Sequence, residues 1–172
     1  AKRNATAVVY RSILLGAVLK ATGNSSPMPM PAKARYFGEE LRRWAARYGV
    51  AFKPNPHPFI LNTLTLMRGA VAAQKLSVFS AYHDAIYRAA WAEGLDLGDK
   101  AVLSDVLQQS GVNFAELIAA SERQDVKDDL RRNTEDAVAR GVFGAPTFFV
   151  GNEMFWGNDR FDFVEEALRR QS

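Results

Sequence analysis

The sequence predicts an α/β fold in which helix far outweighs strand, and three observations carry that expectation. A short β-branched apolar run opens the chain, Ala7-Val8-Val9-Tyr10 with Ile13-Leu14-Leu15 close behind. From about Ala32 to Arg140 the apolar residues recur at helical spacing. The period then shortens to that of strands in Pro146-Thr147-Phe148-Phe149-Val150 and Glu153-Met154-Phe155-Trp156, before one closing helix.

Taken in order, the opening run is apolar enough to form a buried strand. A loop follows, Gly23-Asn24-Ser25-Ser26-Pro27-Met28-Pro29-Met30-Pro31, which its alternating prolines keep extended. Pro31 suits the first position of a helix, in which Phe37, Leu41, Trp44, Ala45 and Tyr48 share a face until Gly49 stops it. The Pro-rich break Lys53-Pro54-Asn55-Pro56-His57-Pro58 precedes a helix capped by Asn62 or Thr63. The next helix spans about Ser77 to Glu93, with Phe79, Tyr82, Ile86 and Ala90 inward and Gly94 at its end. Shorter helices are expected over about 100–109 and 113–120, the second opened by a capping box, Asn113-Phe114-Ala115-Glu116. Another runs from about Gln124 to Arg140 and ends at Gly141. Gly151-Asn152 fits a two-residue hairpin turn between the two strands. Asp159 can cap the last helix, whose inner stripe is Phe161, Val164, Ala167 and Leu168.

Composition narrows the function. With 172 residues, 48% hydrophobic and 24% charged, the chain is one domain's worth, or one domain with an insertion, and wholesale disorder is excluded. It has no cysteine, which excludes disulfides, thiolate zinc sites, iron–sulfur clusters and a Cys-x-x-Cys redox centre. Any thiol chemistry must use a thiol brought by another molecule. The net charge of +3 comes from basic residues mixed with acids, as in Glu39-Glu40-Leu41-Arg42-Arg43, which marks solvated helix faces rather than a nucleic-acid surface. No apolar run approaches the ~20 residues of a membrane span. No signal peptide and no metal-ligand cluster are visible. His57 lies in a Pro-rich loop and His83 on a helix, neither with a partner that would make it a general base.

Pro146 opens a strand, where it costs a ladder hydrogen bond. It is either a rigid turn into an edge strand or a cis-proline that aims the backbone of Ala145 at a ligand. The surrounding Gly141-Val142-Phe143-Gly144-Ala145-Pro146-Thr147-Phe148-Phe149-Val150, followed by Phe155-Trp156-Gly157-Asn158-Asp159-Arg160, closely resembles the C-terminal signature of the 2-hydroxychromene-2-carboxylate isomerases. These are relatives of the kappa-class glutathione transferases. Leu14-Leu15-Gly16, Ala21-Thr22-Gly23-Asn24, Pro31-Ala32-Lys33-Ala34-Arg35-Tyr36 and Phe59-Ile60-Leu61-Asn62-Thr63-Leu64 resemble family blocks in the same order, so the resemblance covers nearly the whole chain.

The resemblance implies a thioredoxin-like sheet interrupted by a large all-helical insertion, with 1–31 and 141–172 forming the thioredoxin-like part and 32–140 the insertion. It implies that Pro146 is a cis-proline beside which the N–H and C=O of Ala145 pair with glutathione as an added strand would. It places Asn158 and Asp159 at the γ-glutamyl end, Asp159 taking the ammonium, although a lone Asp there is also a good N-cap. It places Asn24 and Lys33 at the glycyl end; bottom-up they read equally as a turn residue and a solvated lysine. Tyr36, Asn62 and Trp156 would line an aromatic substrate pocket, Trp156 being equally suited to the core.

The implied activity is glutathione-dependent cis/trans isomerisation between 2-hydroxychromene-2-carboxylate and o-hydroxybenzylidenepyruvate, in cytoplasmic aromatic catabolism, by a homodimer. The alternatives are a kappa-like glutathione transferase or reductase, and a non-catalytic binding module. Nothing in the chain matches the family's opening strand–turn–helix, whose serine activates the thiol, and Ser12, Ser25 and Ser26 belong to other blocks. The expectation is that residues belonging to the molecule precede Ala1.

Overall fold

The computed structural model describes residues 7–26, 28–57 and 63–171. Among these the chain forms eight α-helices, one π-helical turn and one two-stranded antiparallel sheet. The order is α1 (Leu15–Thr22), α2 (Pro31–Tyr48), α3 (Thr63–Lys75), α4 (Phe79–Arg88) running into a π-helical turn (Ala89–Glu93), α5 (Lys100–Gln109), α6 (Phe114–Ser121), α7 (Gln124–Ala139), β1 (Thr147–Val150), β2 (Glu153–Trp156) and α8 (Phe161–Gln171). Two compact units divide the chain: Ala1–Ser25 with Arg131–Ser172, and Ser26–Leu130.

In the helical unit, local signals and packing agree. Asp99 caps α5 by accepting from the N–H of Ala101 at 2.7 Å, and Asn113 caps α6 by accepting from that of Glu116 at 3.1 Å. Pro31 opens α2, and Gly49 closes it at φ 65°, a conformation that a side chain would disfavour. The core forms where α3 packs on α4 and α6, α4 on α5, and α5 on α6. It buries Val71, Ala72, Tyr82, Ile86, Leu107 and Leu117. The buried Tyr82 hydroxyl donates to the carbonyl of Leu66 at 2.7 Å, and burial pushes the phenol pKa upward.

One side of this core is laced by charge. The Lys75 ammonium on α3 lies 2.6 Å from Asp129 and 3.2 Å from Asp125, both on α7. The hydrogen bonds that the ammonium donates to Asp129 and then to Asp125 raise the Lys75 pKa. Arg123, then Lys75, lowers that of Asp125, and Lys127 lowers that of Glu122. The lowered carboxylates contribute stability above their unfolded pKa values, lost as pH falls through the folded ones; the raised lysine contributes below its unfolded pKa, lost as pH rises through the folded one. Because these groups are solvent-accessible, the effect is small. Lys75→Ala is expected to lower Tm by at most about 3 °C near neutral pH. That deficit should shrink as acid protonates the carboxylates facing Lys75, as thermal scans against pH would check.

In the other unit, β1 and β2 pair in the register Thr147↔Trp156 through Val150↔Glu153, joined by Gly151-Asn152 as the sequence implies. α8 packs on both strands and buries Ala167. The opening run departs from expectation. Residues 7–14 form no strand, and Val9 is 70% exposed. From Leu15 the chain is helical. An extended segment becomes a strand only through a ladder partner, and among the described residues the sheet consists of the hairpin alone. Leu15–Thr22 instead carries helix formers and ends at Gly23, a helix that the apolar run concealed. The segment is tied down by the N–H of Leu14, which donates to Oγ1 of the buried Thr134 at 3.1 Å.

Candidate functional site

The chain reaches the hairpin through Phe143-Gly144-Ala145-Pro146. The Ala145–Pro146 peptide is cis, both residues are exposed, and β1 starts immediately afterwards. Three interactions hold this approach. Thr147 Oγ1 donates back to the carbonyl of Gly144 at 2.8 Å, closing a tight turn around Ala145. The N–H of Gly157 donates to the carbonyl of Pro146 at 3.0 Å. Asn24 Nδ2 donates to the carbonyl of Phe143 at 2.9 Å, and its Oδ1 accepts from the N–H of Ser25 at 2.8 Å. Among the described residues nothing bonds to the N–H or C=O of Ala145. The result is an exposed donor and acceptor on a backbone pinned on both sides.

The Gly157–Pro146 bond ties the turn that leads into Asn158 and Asp159 to the residue after Ala145. Asp159 does not cap α8. The first bond of that helix runs from the N–H of Val164 to the carbonyl of Arg160, so the cap position falls one residue later than the Asp159 expected from sequence. The Asp159 carboxylate pairs instead with Arg160 Nη1 at 2.6 Å. Gly157, at φ 106°, supplies the turn. A carboxylate half-open to water and free of capping duty suits a cationic ligand group, with Arg160 as its competitor.

Trp156, at the end of β2, pairs across the hairpin with Thr147 of β1 and is about half exposed, its indole tilted on Phe143 at 5.0 Å between ring centres. A Cβ at Gly144 would stand 2.5 Å from Trp156 Nε1, so only glycine lets the indole lie against this turn. Trp156 is therefore a partly exposed wall rather than core.

In the helical unit, Lys33 stands in the first turn of α2 and lines a shallow open depression with Ala32, Tyr36 and Phe37. No carboxylate pairs with Lys33 among the described residues, whereas the Tyr36 hydroxyl makes a long contact of 3.5 Å with Glu40. Asn62 lies outside the described residues.

Of the sequence candidates, then, Asn24, Ala145, Pro146, Trp156, Asn158 and Asp159 come together in one unit, and Lys33 and Tyr36 share a depression in the other. Sequence reasoning missed Phe143 and Gly144, which set the turn, and Arg160, which holds Asp159. The glycine directly before Ala145-Pro146 and the arginine directly after Asp159 were the available signals. It also missed Arg140, whose guanidinium lies 3.5 Å over the Phe149 ring and braces β1.

Comparison with known proteins agrees with this architecture. The model of the DSBA-like thioredoxin domain matches residues 1–169. A protein named 2-hydroxychromene-2-carboxylate isomerase from Pseudomonas putida is 34% identical over 169 residues, covering 94% of this chain and 79% of its own length. A protein of the same name from Sphingobium xenophagum is 31% identical over 170 residues, covering 98% and 86%. Glutathione S-transferase kappa 2 of Caenorhabditis elegans is 26% identical over 180 residues, covering 95% and 79%. A solved structure of a 2-hydroxychromene-2-carboxylate isomerase superposes with a TM-score of 0.84 at 28% identity, covering 95% of this chain and 80% of that one. The chain belongs to the DSBA-like thioredoxin domain family and, within it, to the family of the 2-hydroxychromene-2-carboxylate isomerases.

Proposed function

We propose that the protein is a glutathione-dependent isomerase that interconverts 2-hydroxychromene-2-carboxylate and o-hydroxybenzylidenepyruvate in aromatic catabolism. The observation that supports this reading is the Gly157–Pro146 hydrogen bond, which ties the turn leading to Asp159 to the residue after Ala145. An α-amino acid end of a peptide needs a cation acceptor, and an extended backbone needs one donor and one acceptor. Ala145 and Asp159 can offer these, on segments joined by the Gly157–Pro146 bond. When bound, glutathione supplies a thiol that adds reversibly to the enone and frees rotation about the former double bond. The chain's own share is to hold the peptide backbone at Ala145, fix the ammonium end at Asp159, and wall the aromatic substrate with Trp156. The resemblance also nominates Lys33 for a glycyl carboxylate and Tyr36 for an aromatic wall, both on α2 in the helical unit.

Ultraviolet absorbance of the two substrate isomers tests the reading. Interconversion should rise with glutathione and fall to background without it. Interconversion that is indifferent to glutathione, or absent altogether, would overturn it. A second reading, conjugation of glutathione to electrophiles, is favoured by the kappa-named relative. It predicts turnover of an aryl halide with no isomerisation.

A further inference from the structure

The turn before β1 carries four consecutive carbonyls, those of residues 143–146, and three of them are occupied. That of Phe143 accepts from Asn24 Nδ2 at 2.9 Å, that of Gly144 from Thr147 Oγ1 at 2.8 Å, and that of Pro146 from the N–H of Gly157 at 3.0 Å. The carbonyl of Ala145 alone has no donor among the described residues. Thr147 opens β1 and Gly157 follows β2, so these two donors belong to the hairpin and move with it. Asn24 does not, because it reaches the turn from 119 residues away.

Asn24 is itself mounted on a fixed element of the same unit. Its N–H donates to the carbonyl of Leu19 at 3.0 Å, which seats it on the end of α1 just after Gly23 turns the chain at φ 69°. Helix α1 is held in turn by the fully buried Val18 and by the Leu14–Thr134 bond. Asn24 Oδ1 accepts from the N–H of Ser25 at 2.8 Å, so the carboxamide plane is set where Nδ2 meets Phe143. On the other side of Phe143, Val142 is buried and its N–H donates to the carbonyl of Ala137 at 2.9 Å, at the end of α7.

The resemblance makes Asn24 a direct ligand of the glycyl end of glutathione. In the structure its carboxamide already uses one donor and one acceptor inside the protein. We infer that Asn24 is a positioning residue: it holds the carbonyl of Phe143 and so fixes the course of the backbone through Ala145, whose N–H and C=O receive the peptide. The inference rests on the proposed pairing of glutathione with Ala145 and adds what keeps the pairing groups in place. Paired backbone hydrogen bonds tolerate little displacement. Loss of the support should therefore weaken any ligand that pairs there, whatever lies at its glycyl end.

Two measurements on the full chain test this. Calorimetric titration compares glutathione with γ-glutamylcysteine, which lacks the glycyl residue but keeps the cysteinyl N–H and carbonyl oxygen. Asn24→Ala should weaken both peptides by the same factor, about tenfold. A loss confined to glutathione would make Asn24 a direct ligand and overturn the inference. Nitrogen relaxation of the backbone amides, on the chain without peptide, reads the support itself. The order parameter of Ala145 should be about 0.85 in the parent and fall below about 0.6 in Asn24→Ala, with the helices unchanged. Asn24→Asp, which keeps the acceptor for Ser25 and removes the donor to Phe143, should show the same loss of order. An Ala145 equally rigid in parent and variants would overturn the inference. So would a parent that binds both peptides and a variant that keeps its affinity. A parent that binds neither peptide would overturn the glutathione reading, and this inference with it.

Discussion

Asn55→Ala is expected to cost about 3 kcal/mol of unfolding free energy and to lower Tm by about 6–12 °C. Where α4 widens into the π-helical turn and ends, several carbonyls have no helical N–H to accept. The loop from Lys53 to His57 serves them. Asn55, only 6% exposed, donates from Nδ2 to the carbonyls of Ala90 at 2.9 Å and Leu95 at 3.0 Å, while its Oδ1 accepts from the N–H of His57 at 2.7 Å. The Lys53 N–H donates to the carbonyl of Trp91 at 2.7 Å, and the Lys53 ammonium to that of Glu93 at 3.1 Å. Alanine would strand two carbonyls and one N–H in a place with little water. Asn55→Asp removes both donors and brings a carboxylate against two carbonyls, so it should be at least as damaging. Chemical denaturation measures both, and an unchanged midpoint for Asn55→Ala would mean that the loop is held by other contacts.

The second large effect is expected at Asp159. If its carboxylate takes the ammonium end of glutathione, Asp159→Asn should raise KM for glutathione about tenfold, the worth of one charge-assisted hydrogen bond, with kcat little changed. Because Arg160 already pairs with that carboxylate at 2.6 Å, Arg160→Gln should shift KM the other way. Opposite shifts distinguish a ligand site from a structural ion pair, whose two partners would fail alike. Initial rates against glutathione concentration read both.

Much of the fold was legible because its signals are local. The cap Asn113, the first-turn Pro31, the stop at Gly49 and the Gly151-Asn152 turn each act within a few residues, and each lies where expected. Two expectations failed for a shared reason. The opening run required knowledge of a pairing partner, and the capping role of Asp159 required knowledge of whether Arg160 would take its carboxylate. Both depend on competing partners, which periodicity does not rank. The candidate site was legible only in part: Asn24 could be nominated from its block, but not its bond to the carbonyl of Phe143, 119 residues away.

What the sequence determined by itself is the helix-heavy α/β class, the borders of most helices, the hairpin turn and the condition that any thiol chemistry would use an outside thiol. These follow from backbone propensity, side-chain period and the absence of cysteine. Only the tertiary structure decided that nothing among the described residues bonds to the N–H and C=O of Ala145, that Gly157 is tied to Pro146, and that α2 leaves its apolar residues without full burial. Each of those depends on which groups meet after the chain has closed on itself, and hydrogen-bond and packing partners far apart in sequence are settled by closure, not by local preference.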